Sequence, residues 1–170
     1  RSFVLIVDAH LDLAMNALEW NRNLTRPIAE LRTSEARKND KPDRANSTVS
    51  LPEMRRGGVG LSILETLSVH WTTPGTINLF LPGIEEGYRQ LVEAVGRTGM
   101  KLFQQLWHAG HGSVPFDGSP PWSCSDLPGM HLGIPGIPMT QAMIDEIVGA
   151  YADAARKMSR WGIQGVEVHA

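Results

Sequence analysis

Two short apolar segments that each end in polar side chains constrain the fold of this chain more than any other feature. One is Gly165–His169 (GVEVH), and the other is Lys101–Trp107 (KLFQQLW), which His108 follows. Both have the length and apolar content of buried strands. In barrels of parallel strands, catalytic groups collect at the carboxyl ends of the strands. We therefore expect Gln105, His10 and His169 to point into one mouth at the carboxyl ends of a parallel sheet, with His108 at the end of the same strand as Gln105.

Strands and helices alternate along the rest of the chain. Apolar strand patterns also occur at residues 3–7 and 59–69, ahead of the two strands above. Helical periodicity marks residues 84–95, and a second periodic segment follows Thr140, which is a suitable N-cap residue. Gly162 is a suitable end for that second helix. We expect the second helix to pack in the core through its apolar stripe, which consists of Ile144, Ile147, Val148, Tyr151, Ala155 and Met158.

This order of elements predicts an α/β fold with parallel strands and right-handed crossovers. Four strands are half of an eight-stranded barrel, which typically needs about 250 residues. The predicted fold class is therefore a partial (β/α)8 TIM-type barrel with about four parallel strands, and an open three-layer sheet is the alternative. Residues 33–50 are polar and predict a long exposed loop, while residues 110–138 are rich in proline and glycine and predict a long irregular segment.

Composition excludes several classes of partner. The net charge of −2 and the pI of about 6.3 do not indicate binding to nucleic acid or to an anionic membrane. No apolar run approaches the roughly 20 residues of a membrane span. The single cysteine, Cys124, cannot form an internal disulfide and is typical of a reducing compartment, so we expect a cytoplasmic protein. Because the chain begins without Met and ends on a strand, we also expect a fragment or a processed product.

Several longer motifs occur in unbroken order over roughly residues 55–170. They are GGVGLSILETLSVHWTTPGTINLF, GYRQLVEAVGRTGMKLFQQLWHAGH, PPWSCSDLP and MTQAMIDEIVGAYADAARKMSRWGIQGVEVHA. This text resembles the Old Yellow Enzyme family of NAD(P)H:flavin oxidoreductases. The resemblance implies a (β/α)8 barrel that holds FMN at the carboxyl ends of its strands, with NADH or NADPH as the electron donor.

The same resemblance implies roles for two residues. Gln105 would bind the pyrimidine edge of the flavin, because an amide offers both a donor and an acceptor. His169 would match the first member of the family's His-x-x-His/Asn pair, which donates hydrogen bonds to a carbonyl or nitro oxygen of the substrate. Such a bond makes a conjugated double bond a better hydride acceptor. The implied substrate is a small molecule with an activated double bond.

The first third of the chain carries a different resemblance. VDAHLDLAMNALEWNRNLTRPIAELR, continued by SLPEMRRGGVG, is similar to the start of the membrane (renal) dipeptidase family of zinc hydrolases. That resemblance implies that His10 and Asp12 are metal ligands, and alternation along a strand would point both the same way. We therefore predict a dipeptidase-like segment at 1–58 and a flavin oxidoreductase-like half barrel at 59–170, packed as one domain. The two would meet within residues 51–60.

The functional hypotheses are a fragment of an FMN-dependent ene-reductase-like enzyme, inactive alone, and a fragment of a zinc-dependent dipeptidase-like hydrolase. Each candidate also has a structural interpretation. Gln105 and His108 could bond only the backbone of nearby loops, His169 could be a terminal residue that binds nothing, and Glu65 could be either a core carboxylate or a group near the flavin. The unpaired strand edges of a half barrel predict a homo-oligomer.

Overall fold

A computed structural model of the chain describes residues 5–71, 73, 76–129 and 133–169. In that part of the chain the strands are β1 (Ile6–Leu11), β2 (Val59–Ser68), β3 (Ile77–Asn78), β4 (Lys101–Trp107), β5 (Trp122–Ser123), β6 (Ile137–Pro138) and β7 (Gly165–His169). The α-helices are α1 (Ile28–Glu35), α2 (Leu51–Gly57), α3 (Ile84–Gly96) and α4 (Gln141–Trp161). No helix among the described residues is long and apolar enough to cross a membrane.

The predicted strands and long helices occur close to their expected positions. The strand expected at residues 3–7 is β1, which begins at Ile6, and residues 3 and 4 lie outside the described residues. The strand order in the main sheet is β1–β2–β4–β7, with β3 beside β2. The pairs β1–β2, β2–β3 and β4–β7 are parallel, as the alternation of strands and helices predicted.

The described residues belong to two compact units. The first unit is Arg1–Leu64 with Gln90–Leu102, and the second unit is Glu65–Arg89 with Phe103–Ala170. Neither unit ends at residue 58, the expected end of the dipeptidase-like segment. The units are defined by packing, whereas that boundary was defined by resemblance.

A buried ion cluster organises the polar segment of the first unit. Glu35, at the end of α1, is only 2% exposed and accepts from Arg22 at 2.9 Å and from Arg44 at 2.7 Å. Hydrogen bonds to the carboxylate lower the pKa of Glu35 to about 2. The bond from the Arg22 guanidinium has the largest effect, and the Ala45 amide and Arg44 add smaller ones. The prediction of an exposed loop over residues 33–50 is therefore wrong at this point. Paired charges can be buried, and polarity alone does not reveal the pairing.

Helix α4 of the second unit begins and ends as its sequence predicted. The Thr140 hydroxyl accepts a hydrogen bond from the Met143 amide at 3.4 Å, which satisfies one of the free amides of the first turn. Gly162 ends the helix with a φ of 95°, a left-handed conformation that glycine adopts without a Cβ clash. The buried face of α4 consists of Ile147, Ala154, Met158 and Trp161. It packs in the core of the second unit together with Leu106 and Leu67.

Candidate functional site

A row of three polar side chains crosses one face of the sheet in the second unit. The hydroxyl of Thr66 on β2 donates to Oε1 of Gln105 on β4 at 2.7 Å. Nε2 of Gln105 donates to Oε2 of Glu167 on β7 at 3.1 Å. Gln105 and Glu167 are directly paired across the two strands. The row therefore fixes the Gln105 amide with its oxygen toward Thr66 and its nitrogen toward Glu167.

His169 lies on the same face as this row. It is two residues beyond Glu167, and alternation along a strand returns to the same face every second residue. Its partner on β4 is Trp107, and the two rings stack with centroids 5.6 Å apart and planes 12° apart. Gln105 and His169 thus occupy adjacent parallel strands, near the carboxyl end of each. His169 is exposed, so its imidazole is accessible to a ligand.

The amino end of the same face is closed by an aromatic ring. Phe103 pairs with Gly165, and a Cβ built on Gly165 would lie 2.5 Å from the Phe103 ring. Only glycine allows this close approach without displacing the ring. Along β4, this face therefore presents the apolar ring of Phe103, then the polar amide of Gln105, and then the aromatic ring of Trp107.

The neighbouring glutamine, Gln104, faces the opposite side of the sheet and has a structural role. It is fully buried, accepts from the Tyr88 hydroxyl at 2.6 Å and donates to the Glu65 carbonyl at 2.5 Å. Burial is the main cause that raises the pKa of Tyr88, and the nearby charge of Glu65 adds to it. Glu65 is adjacent to Thr66 in the strand and so lies on this opposite face, away from the row of polar side chains.

A second histidine, His70, lies near His108, and the sequence analysis did not predict its role. The two ring centroids are 5.5 Å apart, and Nε2 of His70 lies 2.9 Å from a carboxylate oxygen of Glu146 on α4. Burial is the main cause that lowers the pKa of His108 to about 4, and the proximity of His70 adds to it. Nδ1 of His108 accepts from the Gly110 amide at 3.3 Å. His70 follows β2 as His108 follows β4, and this shared position is the signal that could have identified it.

His10 and Asp12 belong to the first unit, at the carboxyl end of β1. Nε2 of His10 is 3.3 Å from a carboxylate oxygen of Asp12, and both side chains are nearly half exposed. Among the described residues, no group of three or more histidine, cysteine, aspartate or glutamate side chains could hold a metal. Stable zinc sites use three or four protein ligands. The described residues therefore do not fit a zinc centre at His10 and Asp12.

Comparison with known proteins identifies the family. The model of the NADH:flavin oxidoreductase / NADH oxidase family matches residues 21–170 of the chain. The chain belongs to this family. The match starts well before residue 55, where the flavin oxidoreductase resemblance was expected to begin, and it includes most of the segment expected to be dipeptidase-like. These comparisons give no support to a relationship with membrane dipeptidases.

Individual members of the family show the same relationship. The chain is 34% identical over 106 residues to the flavin oxidoreductase hxnT of Emericella nidulans. The aligned part covers 56% of this chain and 27% of that protein. It is 33% identical over 120 residues to an NADH oxidase of Thermoanaerobacter brockii, covering 67% of this chain and 18% of that protein. The chain therefore spans about a quarter or less of the length of these two relatives.

Solved structures confirm the fold class. Morphinone reductase in complex with tetrahydroNAD matches the chain with a TM-score of 0.60 and 29% identity, over 71% of this chain and 39% of that chain. The structure is thus an α/β arrangement of parallel strands similar to part of a flavin oxidoreductase barrel.

The Gln105 amide has the capacity that a flavin ring requires. Its oxygen has two acceptor positions and its nitrogen has two donor positions. Thr66 occupies one acceptor position and Glu167 occupies one donor position. One acceptor and one donor remain, which suits the pyrimidine edge of a flavin. The described residues at this face therefore fit FMN.

Proposed function

We propose that this chain contributes the flavin-binding and substrate-polarising groups of an FMN-dependent NAD(P)H oxidoreductase of the ene-reductase type. One observation carries the proposal. Gln105 and His169 lie on adjacent parallel strands, on one sheet face and near the carboxyl ends of both strands. Membership of the NADH:flavin oxidoreductase / NADH oxidase family supports the choice of cofactor and electron donor. FMN supplies the hydride when bound, after reduction by NADH or NADPH.

Gln105 has the role of holding the pyrimidine edge of the flavin. Its amide would use the donor and acceptor that Thr66 and Glu167 leave free. Because those two partners fix the amide orientation, the remaining donor and acceptor are held in place before the cofactor binds. Preorganised groups bind more tightly than groups that must be ordered on binding.

His169 has the role of polarising the substrate. An imidazole N–H of His169 would donate to a carbonyl or nitro oxygen and stabilise the negative charge that develops there. The Trp107 indole holds the imidazole on the site face by stacking. The substrate class that fits this chemistry is a small molecule with an activated double bond.

We place the protein in the cytoplasm because its one cysteine, Cys124, is free and exposed.

The described residues offer only part of a cofactor site. The chain covers 39% of morphinone reductase, so we expect the 170-residue chain to bind FMN weakly and to have little or no turnover by itself. The alternative zinc hydrolase function would need three or four metal ligands, and the described residues bring no such group together. A yellow protein with stoichiometric flavin after desalting would contradict the expectation of weak binding.

A titration with FMN tests the role of Gln105. In 15N-labelled chain, the side-chain amide signals of Gln105 should shift on addition of FMN more than those of the exposed Gln141. Gln105→Leu should weaken binding by about tenfold, the value of one to two hydrogen bonds. Gln141→Leu is the matched control and should leave binding unchanged. Equal binding by the Gln105→Leu variant would show that the flavin does not contact this amide.

A further inference from the structure

We infer that Tyr151 is a positioning residue for His169, a role that rests on the proposed function of His169. The structural basis is one hydroxyl group that bonds the main chain of two residues. The Tyr151 hydroxyl accepts from the His108 amide at 2.8 Å and donates to the His169 carbonyl at 2.6 Å. All three residues belong to the second unit.

The bridge lies where the ladder between β4 and β7 ends. Among the described residues, Trp107 and His169 form the last pair of that ladder. Beyond the last pair, the main-chain groups of two parallel strands have no strand partner and tend to fray. Tyr151 reaches this point from α4 and connects the residue after β4 to the last residue of β7. The helix thus holds the ends of the two strands in register.

The orientation of the His169 ring depends on this register. The His169 ring stacks on Trp107, and His169 itself is exposed, so few other contacts restrain the imidazole. A shift of the His169 backbone would move the imidazole off the indole and away from the face that carries Gln105. Misplacement of a catalytic group by about 1 Å can cost roughly a hundredfold in rate. A single hydrogen bond at this point therefore has a large effect on the proposed site.

Tyr151 acts through His169 rather than on the substrate. Its hydroxyl proton is engaged by the His169 carbonyl, and its oxygen is engaged by the His108 amide. Burial raises the pKa of Tyr151, so the hydroxyl stays protonated and can donate throughout the neutral range. The bridge is therefore a fixed structural link and does not switch with pH near neutrality.

The two tyrosines of the chain provide a matched experiment. Tyr151→Phe removes the bridging oxygen but keeps the ring, and Tyr88→Phe removes an oxygen from a more deeply buried tyrosine that bonds Gln104. Both variants remove a hydrogen-bonded tyrosine hydroxyl in the same unit. Only the first removes a bond to His108 and His169. The ligand-free chain is used throughout, so the result does not depend on flavin binding.

Two NMR measurements separate positioning from general stabilisation. Tyr151→Phe should accelerate hydrogen exchange of the His108 amide by about tenfold and should abolish the close contacts between the His169 ring and the Trp107 indole. Tyr88→Phe should leave both signals as in the wild type, even where it lowers overall stability. In the wild type alone, the His108 amide should exchange as slowly as the amides of β4.

Three results would overturn the inference. They are rapid exchange of the His108 amide in the wild type, unchanged ring contacts in Tyr151→Phe, or equal loss of those contacts in Tyr88→Phe. The first requires no variant and so applies even where a variant does not fold. Failure of the proposed function would appear separately, as an FMN titration that leaves Gln105 unaffected while the Tyr151 bridge behaves as expected.

Discussion

Nε2 of Gln105 lies 3.1 Å from a carboxylate oxygen of Glu167, on the neighbouring parallel strand. A carboxylate only accepts hydrogen bonds, so it requires the nitrogen end of the amide. Thr66 donates its hydroxyl proton to the oxygen end at 2.7 Å. The orientation of the Gln105 amide is therefore set by its two neighbours before any ligand is bound.

Replacement of Glu167 should disturb flavin binding without removing Gln105. In Glu167→Gln, the new amide can donate or accept, so both orientations of Gln105 become possible. We expect FMN binding to weaken a few-fold, with a smaller shift of the Gln105 side-chain signals in the titration. The exposed Glu93→Gln is the control and should bind as the wild type does. Wild-type affinity in Glu167→Gln would show that the carboxylate does not set the amide orientation.

The sequence predicted this site only in part, for a physical reason. Gln105 and Gln104 are adjacent and chemically identical, and composition cannot tell which one faces the site. The family motif identified Gln105, but its partners Thr66 and Glu167 depend on the register between strands. Register is set by packing and turn geometry across the sheet, not by any one strand. Tyr151 was predicted only as part of an apolar stripe, because its hydroxyl partners are distant in sequence.

Local signals were more reliable than long-range ones. Thr140 and Gly162 mark the ends of α4 because caps depend on residues within one turn. The prediction for residues 33–50 was wrong at Glu35 because its two arginine partners lie 13 residues before it and 9 residues after it in the sequence. A charge is predicted to be exposed unless its partner is known.

Glu35 should make the chain sensitive to strong acid. Its folded pKa of about 2 lies below its ordinary value of 4.5, so the charged form stabilises the folded state at pH above 4.5. That contribution is lost as pH falls from 4.5 toward 2. Glu35→Gln should lower the free energy of unfolding at pH 7 by roughly 2–4 kcal/mol, because it leaves Arg22 and Arg44 without their shared carboxylate. Urea unfolding at several pH values measures the difference, which should shrink below pH 4.

His108 should produce a separate pH dependence at milder acidity. Its folded pKa of about 4 lies below the ordinary 6.5, so the unfolded state binds the proton more readily between these values. Stability should therefore fall as pH decreases from 6.5 to 4, by on the order of 2 kcal/mol. His108→Gln should remove this slope and leave the slope below pH 4.5 that Glu35 causes. Persistence of the milder slope in His108→Gln would assign it to another group.

Zinc should not remain bound to His10 and Asp12 during dialysis against a mild chelator. Two ligands are present where stable sites use three or four, and both side chains are nearly half exposed. Metal analysis of the dialysed chain measures the zinc content directly. About one zinc per chain, lost in His10→Ala, would show that further ligands join these two.

Strand β7 should mediate self-association of the chain. It is the last strand in the described order of the sheet, and Val168 on it is 64% exposed. Val148 and Ile144 of α4 were expected to be core residues, yet they are 60% and 40% exposed. An unpaired edge with exposed apolar side chains favours pairing with another chain.

Sedimentation velocity should therefore show association that grows with protein concentration. Val168→Lys should reduce this association because a lysine on the edge strand opposes pairing. Leu127→Lys, at another exposed apolar position of the second unit, is the control and should associate as the wild type does. A wild-type chain that stays monomeric over the whole concentration range would exclude β7 as an interface.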